Sequence, residues 1–366
     1  MSPLPLVVML LLLGGVAPVR IMSGTTAELY DYDEPLSRSV ESDRGSVEST
    51  EKDEEGNDIP PEPKHHGYHM MPKLAKDAVD KHIDTWHPGM KQNIWELSGL
   101  FEGDIMEPHD EVQGRSRPRG RVPVMAERNG VIDDSLRWPG GEVPYYISSD
   151  FDEDEKSVIR GAMDEYHEKS CIRFRPYTKS DSNYVVIRGD APGCWSYVGM
   201  RGGGQVVNLQ GRCVQHGVAI HELLHALGFH HQQSASNRDE FVKIHWENIR
   251  PRTRSNFKKY SSFRITDYNV PYDYGSIMHY SSHAFSKNGK PTITPLDDGA
   301  QIGQRFGLSD RDQMKLNIMY GCSGQDSEER RTPAMLSDSA SRPSSDFDTS
   351  WMHSFDTFWD KPFYYF

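Results

Sequence analysis

The chain has 366 residues, with 54 Asp and Glu against 41 Lys and Arg and a formal net charge of −13. This length accommodates one good-sized domain with attachments, or two small domains. The acidic balance and the lack of a strong basic stripe exclude nucleic acid as a main partner, because phosphate binding needs clustered Lys and Arg.

The amino terminus contains an apolar run at residues 4–13, followed by small residues. The run is too short to cross a bilayer and is typical of a signal-peptide core. We therefore predict a signal peptide over residues 1–20, cleaved near Ala17, and a secreted, extracellular protein. The alternative is an amino-terminal membrane anchor. No later run is long and apolar enough to span a membrane, so no membrane partner is predicted.

Two polar stretches precede the main domain. Residues 30–63 are acidic, bury too little apolar surface to fold alone, and are predicted to be a disordered spacer; a binding site for a basic partner is the alternative. Residues 113–130, QGRSRPRGRVPVMAERNG, are predicted to be exposed to trypsin-like proteases.

The main domain alternates strand and helix patterns in its first part. Asp150 is predicted to cap a helix that runs to about His167, Gly228 to end a second helix, and Ser309 to open a last helix in a capping box with Asp312. Strands are predicted at 143–147, 171–177 and 183–189, and the three helices at 150–167, 214–229 and 309–320.

From Ser323 onward the chain is rich in Ser, Asp and Pro, and it ends in WMHSFDTFWDKPFYYF. The tail has no periodicity, so it is predicted to be disordered. A docking segment for a partner or for the main domain is the alternative.

The chain has four cysteines, all in its second half: Cys171, Cys194, Cys213 and Cys322. An even count behind a signal peptide indicates two disulfides, and three pairings are possible. No two cysteines form a CxxC pair, which argues against a four-cysteine zinc site.

Residues 219–233, AIHELLHALGFHHQQ, predict a metal centre. His221 and His225 are four positions apart, so on a helix they share one face. Glu222 lies where it can reach a metal-bound water. Gly228 can adopt a positive φ and turn the chain back, so a third histidine can approach from outside the helix.

The spacing H-E-x-x-H-x-x-G-x-x-H selects His231 as the third ligand and leaves His230 to exposed packing. Three imidazoles leave an open position for water, so one catalytic Zn²⁺ is predicted. The alternative is a structural zinc site, which would close its fourth position with a protein ligand and would not need Glu222.

A second motif, YDYGSIMHYSSHAFS at 272–286, places Met278 after a Gly-Ser turn and Tyr280 two residues later. Beside the long histidine motif, Met278 matches a Met-turn, the apolar floor beneath histidine ligands. Tyr280 can supply a phenol to the metal or to an oxyanion.

With these motifs the sequence resembles the astacin family of metzincin zinc endopeptidases. The resemblance covers about residues 101–104 and 129–322. It rests on HELLHALGFHH, YDYGSIMHY, LRWPGGEVPY, the stretch from NGKPTITP to IGQRFGLSDRDQMKLN, and the cysteine spacing.

The resemblance implies an α+β, two-lobed metzincin-type protease domain with a twisted mixed sheet, an active-site helix and a Met-turn, preceded by a propeptide. It implies Glu222 as general base and Tyr280 as a fifth, switchable zinc ligand. Residue by residue it also implies the zinc ligands His221, His225 and His231, the Met-turn residue Met278, and the disulfides Cys171–Cys322 and Cys194–Cys213.

The resemblance extends to the segment before this domain. FEGD at 101–104 is similar to the family's aspartate switch, in which Asp104 would take the place of the water on zinc. Alignment of LRWPGG places the mature start at Asn129, after Arg128, so a trypsin-like activator is expected. The implied domains are a propeptide at 21–128, a catalytic domain at 129–323 and the tail at 324–366.

Two positions depart from the family pattern. Where relatives carry a glutamate after the third ligand, which meets the new amino terminus, this chain has Gln232; an amide accepts a hydrogen bond but supplies no counter-charge. In ASNRD at 235–239, only Arg238 and Asp239 match the family's usual arginine-bearing stretch.

The predicted function is a secreted zinc-dependent endopeptidase made as a zymogen, in which zinc-bound water and the base Glu222 hydrolyse peptide bonds of extracellular proteins. The expected partners are protein or peptide substrates and the activating protease, and the expected state is a monomer. The alternative is a catalytically silent secreted binding protein on the same fold.

Overall fold

A five-stranded mixed sheet forms the centre of the structure, which is a computed structural model. Its strand order is β3-β2-β4-β6-β5; the first four strands are parallel, and β5 runs antiparallel to β6. The strands are β1 (Gly130–Val131), β2 (Glu142–Ile147), β3 (Arg173–Pro176), β4 (Tyr184–Arg188), β5 (Cys194–Ser196), β6 (Gly204–Leu209), β7 (Val242–Ile244), β8 (Ile265–Thr266) and β9 (Ile293–Pro295). β1 pairs with β8 and β7 with β9, both antiparallel.

The structure describes residues 52–63, 73–107, 130–260 and 265–322. The predicted signal peptide, the Arg128–Asn129 bond and the carboxyl-terminal tail lie outside these ranges. Within them, no helix has both the length and the apolar character needed to cross a membrane.

Four α-helices occur in the part of the chain that the structure describes. They are α1 (Lys73–Thr85), α2 (Glu153–Lys169), α3 (His216–Ala226) and α4 (Asp310–Tyr320). Helices and a mixed sheet together make the α+β class that was expected.

The start of α2 differs from the prediction by two residues. Asp152, not Asp150, caps the helix: its carboxylate accepts from Glu155 N at 2.9 Å, while Glu155 Oε2 accepts from Asp152 N at 3.1 Å. Asp150 instead accepts from Ser148 Oγ at 2.6 Å. The reciprocal pair satisfies two helix-end groups at once, so it defines the boundary.

The predicted capping box of α4 is present. Ser309 Oγ accepts from Asp312 N at 2.9 Å, and an Asp312 oxygen accepts from Ser309 N at 3.2 Å. The left-handed residue Gly321 (φ 63°) ends the helix.

The two faces of the sheet have different surroundings. Val185 and Ile187 of β4 belong to the main hydrophobic core, together with residues of α2 and α3. Tyr184 and Val186 point to the opposite face, where they cluster with Tyr177. Every residue of α3 from 217 to 226 is buried, so this helix lies inside the core.

Two disulfides tie the fold together. Cys171 is joined to Cys322 and Cys194 to Cys213, which is the pairing that the resemblance implies. The first bridge closes 151 residues of chain and the second closes 19.

The predicted disorder of residues 30–63 does not extend to 52–63. Asp53 Oδ1 accepts from Asn57 N at 2.7 Å, which closes a turn, and Lys52 bridges to Asp58. Local polar contacts therefore order a segment whose composition predicted none, and contacts with the folded domain add to them, as described below.

Candidate metal centre

Helix α3 presents His221 and His225 from one buried face. Both side chains are inaccessible to solvent, as is that of Glu222 between them. Because α3 is buried all round, it holds these polar groups where few water molecules compete for them.

A glycine turn brings the third histidine to the first two. Gly228 has a φ of 106°, and a Cβ there would lie 2.7 Å from Met319 Cε and 2.8 Å from Val131 Cγ2. Only glycine adopts this conformation without strain and tolerates this close approach. The chain then returns to place His231, also fully buried, beside α3.

Asp104 lies at the centre of the three imidazoles. Its Oδ2 is 3.1 Å from His221 Nε2 and 3.3 Å from His231 Nε2, and its Oδ1 is 3.5 Å from His225 Nε2. The four ligand atoms all lie within 4.8 Å of one another. Ligands held tetrahedrally at about 2.1 Å from zinc are about 3.4 Å apart, so these separations fit one ion.

Each imidazole is oriented through its other nitrogen. His221 Nδ1 donates to Ile277 O at 2.9 Å and His225 Nδ1 to Phe229 O at 2.7 Å. His231 Nδ1 donates to Glu102 Oε2 at 2.9 Å. The three Nδ1 atoms thus carry protons, which leaves each Nε2 as a lone-pair donor aimed at the centre, as metal-binding histidines require.

Polar atoms without partners mark the centre as a cation site. Among the described residues, His225 Nε2 and Asp104 Oδ1 are buried and make no hydrogen bond. Buried polar atoms are rarely left in this way unless they bind something else. Three neutral nitrogens and one carboxylate are a donor set that suits Zn²⁺.

Glu222 is the second group in the centre without a partner. Both of its carboxylate oxygens are buried and, within the described part of the chain, make no hydrogen bond. Burial raises the pKa of Glu222 well above its usual range, and the nearby Asp104 raises it further. Glu222 is therefore placed to accept and hold a proton.

The centre's electrostatics differ between its members. Burial lowers the pKa of His221 to about 4. Although burial opposes the charge, Asp104 and Glu102 raise the pKa of His231 to about 10. A divalent cation displaces such protons, so metal binding is expected to release them.

Met278 and Tyr280 lie directly beside the histidines. Met278 is fully buried in the main core, and its carbonyl accepts from Gln232 N at 2.9 Å. The ring of Tyr280 is 4.7 Å from that of His231, but its hydroxyl donates to Glu102 O at 2.6 Å.

Gln232 meets a buried lysine. Its Oε1 accepts from Lys315 Nζ of α4 at 2.6 Å, and both side chains are almost completely buried. A cation from within the domain therefore already faces the position where the family pattern has a glutamate.

Three residues of the segment before the domain contribute to the centre and were not predicted. Trp95 stacks on His221 with ring centroids 4.3 Å apart. Glu96 accepts from Ser281 N at 2.6 Å. Glu102 accepts from His231. The mixed aromatic and aliphatic character of NIWELSGLFEGDIM was the only sequence signal near them.

The prediction that His230 is exposed was wrong, because its side chain is only 3% exposed. Its ring packs against Tyr260 with centroids 5.4 Å apart, in a part of the chain thirty residues downstream. It does not belong to the four-residue cluster. Adjacent residues in an extended segment point in opposite directions, so His230 is buried away from the metal centre.

Comparison with known proteins agrees with this geometry. The model of the peptidase family described as Astacin matches residues 130–321, which is more than half of the chain. The chain belongs to the astacin family.

The astacin domain is similar to several curated nematode proteins. It is 43% identical over 226 residues to zinc metalloproteinase nas-13 of Caenorhabditis elegans, covering 61% of this chain and 50% of that protein. For nas-14 of the same organism the identity is 40% over 273 residues, covering 70% and 53%. This chain thus spans about half the length of the curated relatives it matches.

A solved astacin structure is similar as well. High choriolytic enzyme 1, a hatching enzyme zinc-protease from the medaka Oryzias latipes, is 39% identical with a TM-score of 0.50. The match covers 54% of this chain and 99% of that one. The matched share of this chain is therefore about as long as the astacin domain itself.

Proposed function

We propose that this protein is a secreted zinc endopeptidase made as a latent precursor. The observation that carries the proposal is the convergence of three lone-pair nitrogens on one point beside a buried, unpartnered Glu222. A structural site would not leave a carboxylate unused at its edge. The relatives named as zinc metalloproteinases support the same activity.

His221, His225 and His231 would hold the ion. When bound, zinc supplies Lewis acidity that polarises a scissile carbonyl and lowers the pKa of water to about 7. Glu222 takes the proton of the attacking water and delivers it to the leaving amine. Its burial keeps that proton from exchanging with bulk solvent during the step.

Tyr280 would act after the precursor segment has left. Its hydroxyl then loses the Glu102 carbonyl as acceptor and becomes available to donate to the oxyanion that forms on the substrate. This interaction stabilises mainly the transition state, which is where a hydrogen bond accelerates a reaction. Met278 would support the histidines from the core.

Two contacts of the precursor segment would keep the protein latent. Asp104 occupies the point on which the imidazoles converge. Ile105 also pairs in parallel with Ser196 of the edge strand β5: Ser196 N donates to Asp104 O at 3.0 Å, and Met106 N donates to Ser196 O at 2.9 Å. The segment thus covers the strand edge that a substrate main chain needs.

The central test removes the proposed base. After cleavage at Arg128, Glu222→Ala is expected to bind one zinc ion as the unmodified chain does, but to hydrolyse a peptide library about 100- to 10,000-fold more slowly. The matched control is Glu168→Ala, at an exposed glutamate of α2. Normal turnover by Glu222→Ala would overturn the mechanism. Normal zinc binding without turnover by the unmodified chain would favour a silent binding protein.

A further inference from the structure

Residues 53–63 of the precursor lie against the domain, far along the chain from the metal centre. Glu55 accepts two hydrogen bonds from Arg160 of α2, at 2.6 and 2.7 Å, and lies 3.6 Å from Lys156 Nζ. Lys156 also pairs with Glu153 at 2.8 Å. The cations are therefore held in position by the domain itself.

The other end of the segment reaches the outer face of the sheet. Arg188 of β4 donates to Glu62 Oε1 at 2.6 Å, and Tyr184 OH donates to Pro61 O at 3.0 Å. Arg188 is also paired with Asp190, which orients its guanidinium. One carboxylate at each end and one main-chain contact between them fix the segment in register.

The face beneath the segment is apolar and aromatic. Tyr177, Tyr184 and Val186 form a hydrophobic cluster there, with Tyr146 packed against it. Above it run Pro60, Pro61 and Pro63, which favour an extended conformation at low entropic cost. Aromatic surfaces that receive extended proline-containing segments are a recurrent mode of peptide recognition.

The precursor segment does not fill this face. A cleft of ≈ 320 Å³ remains between residues 59–63 and the sheet, at the carboxyl ends of β2 and β4. A segment with the same charges and larger side chains would therefore bury more apolar surface here than the precursor segment does.

We propose that this face is a second peptide-binding surface of the protein, which we call the outer-face surface: Lys156, Arg160, Tyr146, Tyr184, Val186 and Arg188. Its ligand is an acidic, proline-containing, extended segment of a partner protein, with carboxylates spaced like Glu55 and Glu62. The precursor segment occupies the surface until it is removed. Only that release depends on the proposed function; the recognition itself does not.

The test uses the full chain and a fluorescent peptide of residues 51–63. Glu55→Lys/Glu62→Lys in the chain releases its own segment, so the peptide is expected to bind this variant at least about tenfold more tightly than the unmodified chain. The reason is that a tethered segment competes at an effective concentration of about a millimolar. Fluorescence anisotropy measures the affinities.

Charge reversal of the surface supplies the decisive arm. Adding Arg160→Glu/Arg188→Glu to the released chain is expected to weaken peptide binding more than about tenfold, and a peptide with lysines at 55 and 62 is expected to restore it. Arg212→Glu, at an exposed arginine elsewhere, is the matched control. Binding that ignores the two arginines would overturn the proposal, as would equal binding to the released and unmodified chains.

A second variant guards against misfolding. Tyr184→Phe removes only the hydroxyl that donates to Pro61 O, and it is expected to weaken binding several-fold with unchanged thermal unfolding. A peptide with alanines in place of the three prolines tests the conformational part. If it binds equally well, or if a sulfated polysaccharide competes through the same arginines at equal charge, the surface is a general anion site and the proposal fails. None of these measurements requires proteolysis, so the outcome is independent of the Glu222 test.

Discussion

At the scale of single residues, Glu102 has the densest set of contacts in the precursor segment. Its buried carboxylate accepts from His231 Nδ1 at 2.9 Å, Ser234 Oγ at 3.1 Å and Tyr260 OH at 2.5 Å. It does so with a φ of 49°, a left-handed conformation that costs a non-glycine residue about 1 kcal/mol or more. Three hydrogen bonds to a charged acceptor offset that cost.

Latency should therefore depend on Glu102 as well as on Asp104. We expect the uncleaved Asp104→Ala precursor to hydrolyse a quenched fluorescent peptide, and Glu102→Ala to raise the activity of the uncleaved chain about tenfold or more, because each charged hydrogen bond contributes about 1.5–3 kcal/mol. Asp84→Ala, at an exposed site in α1, should stay silent. Full latency of both variants would show that other contacts hold the segment.

The sequence predicted this site only in part. The spacing of His221, Glu222 and His225 could be interpreted because helix geometry is local. The contact of Glu102 with His231 joins residues 129 positions apart, and that of Glu96 with Ser281 joins residues 185 apart. No local periodicity carries such pairings, so Trp95, Glu96 and Glu102 were missed although FEGD drew attention to Asp104.

At the scale of elements, α4 supports two segments of the metal centre from behind. Asp312 accepts from Ser276 Oγ at 2.6 Å and from Ile277 N at 2.8 Å, and the carbonyl of Ile277 accepts from His221. One turn later Lys315 donates to Gln232, next to His231. The helix thus steadies two ligands without touching either.

Loss of the lysine should loosen the metal. We expect Lys315→Met to weaken zinc binding by about tenfold, the usual size of an effect one residue removed from a ligand, measured by competition with a chelator. Burial lowers the pKa of Lys315, so its contact with Gln232 compensates a desolvation cost. The exposed Lys179→Met is the control. Unchanged affinity would mean that Gln232 is positioned by its main-chain bond to Met278 alone.

Two helical glycines should respond in opposite directions to the same change. In α2, a Cβ on Gly161 meets only His216 Nδ1 at 3.9 Å, so Gly161→Ala is expected to stabilise the fold by about 0.5–1 kcal/mol through helix propensity. In α3, a Cβ on Gly217 would lie 2.0 Å from Arg305 O. We expect Gly217→Ala to destabilise by about 1–3 kcal/mol, because overpacking outweighs propensity. Thermal unfolding of both variants measures the contrast, and equal shifts would contradict it.

Element boundaries were predictable where one polar pair defined them. Ser309 and Asp312 mark the start of α4, and the prediction held. Before α2 several acidic residues compete, and the choice between Asp150 and Asp152 depends on Glu155 and on the contact of Asp150 with Ser148. The parallel order of the central sheet was not predictable from strand patterns, since it is set by packing across the whole core.

At the scale of the whole molecule, the disulfide from Cys171 to Cys322 joins the end of α2 to the residue after α4. It links the part of the domain that carries the sheet to the helix that supports the ligands. The disulfide from Cys194 to Cys213 instead closes a short loop between β5 and the start of α3.

The two bridges should differ in their contribution to stability. In the chain-entropy model, closing 151 residues stabilises by about 5 kcal/mol and closing 19 residues by about 3 kcal/mol. We expect Cys171→Ser/Cys322→Ser to lower the free energy of unfolding more than Cys194→Ser/Cys213→Ser does. Denaturant unfolding under oxidising conditions measures both. The reverse order would indicate that local strain or residual structure dominates.

The stacking of Trp95 on His221 has an optical consequence. In the precursor this indole is wholly buried, 4.3 Å from a metal-centre imidazole. Its emission there reflects an apolar environment next to a group that quenches indole fluorescence when it is protonated. Once the segment is released, the same indole enters water and its emission moves to longer wavelength. The molecule therefore carries an intrinsic fluorophore that distinguishes the sealed state from the opened one without any added label.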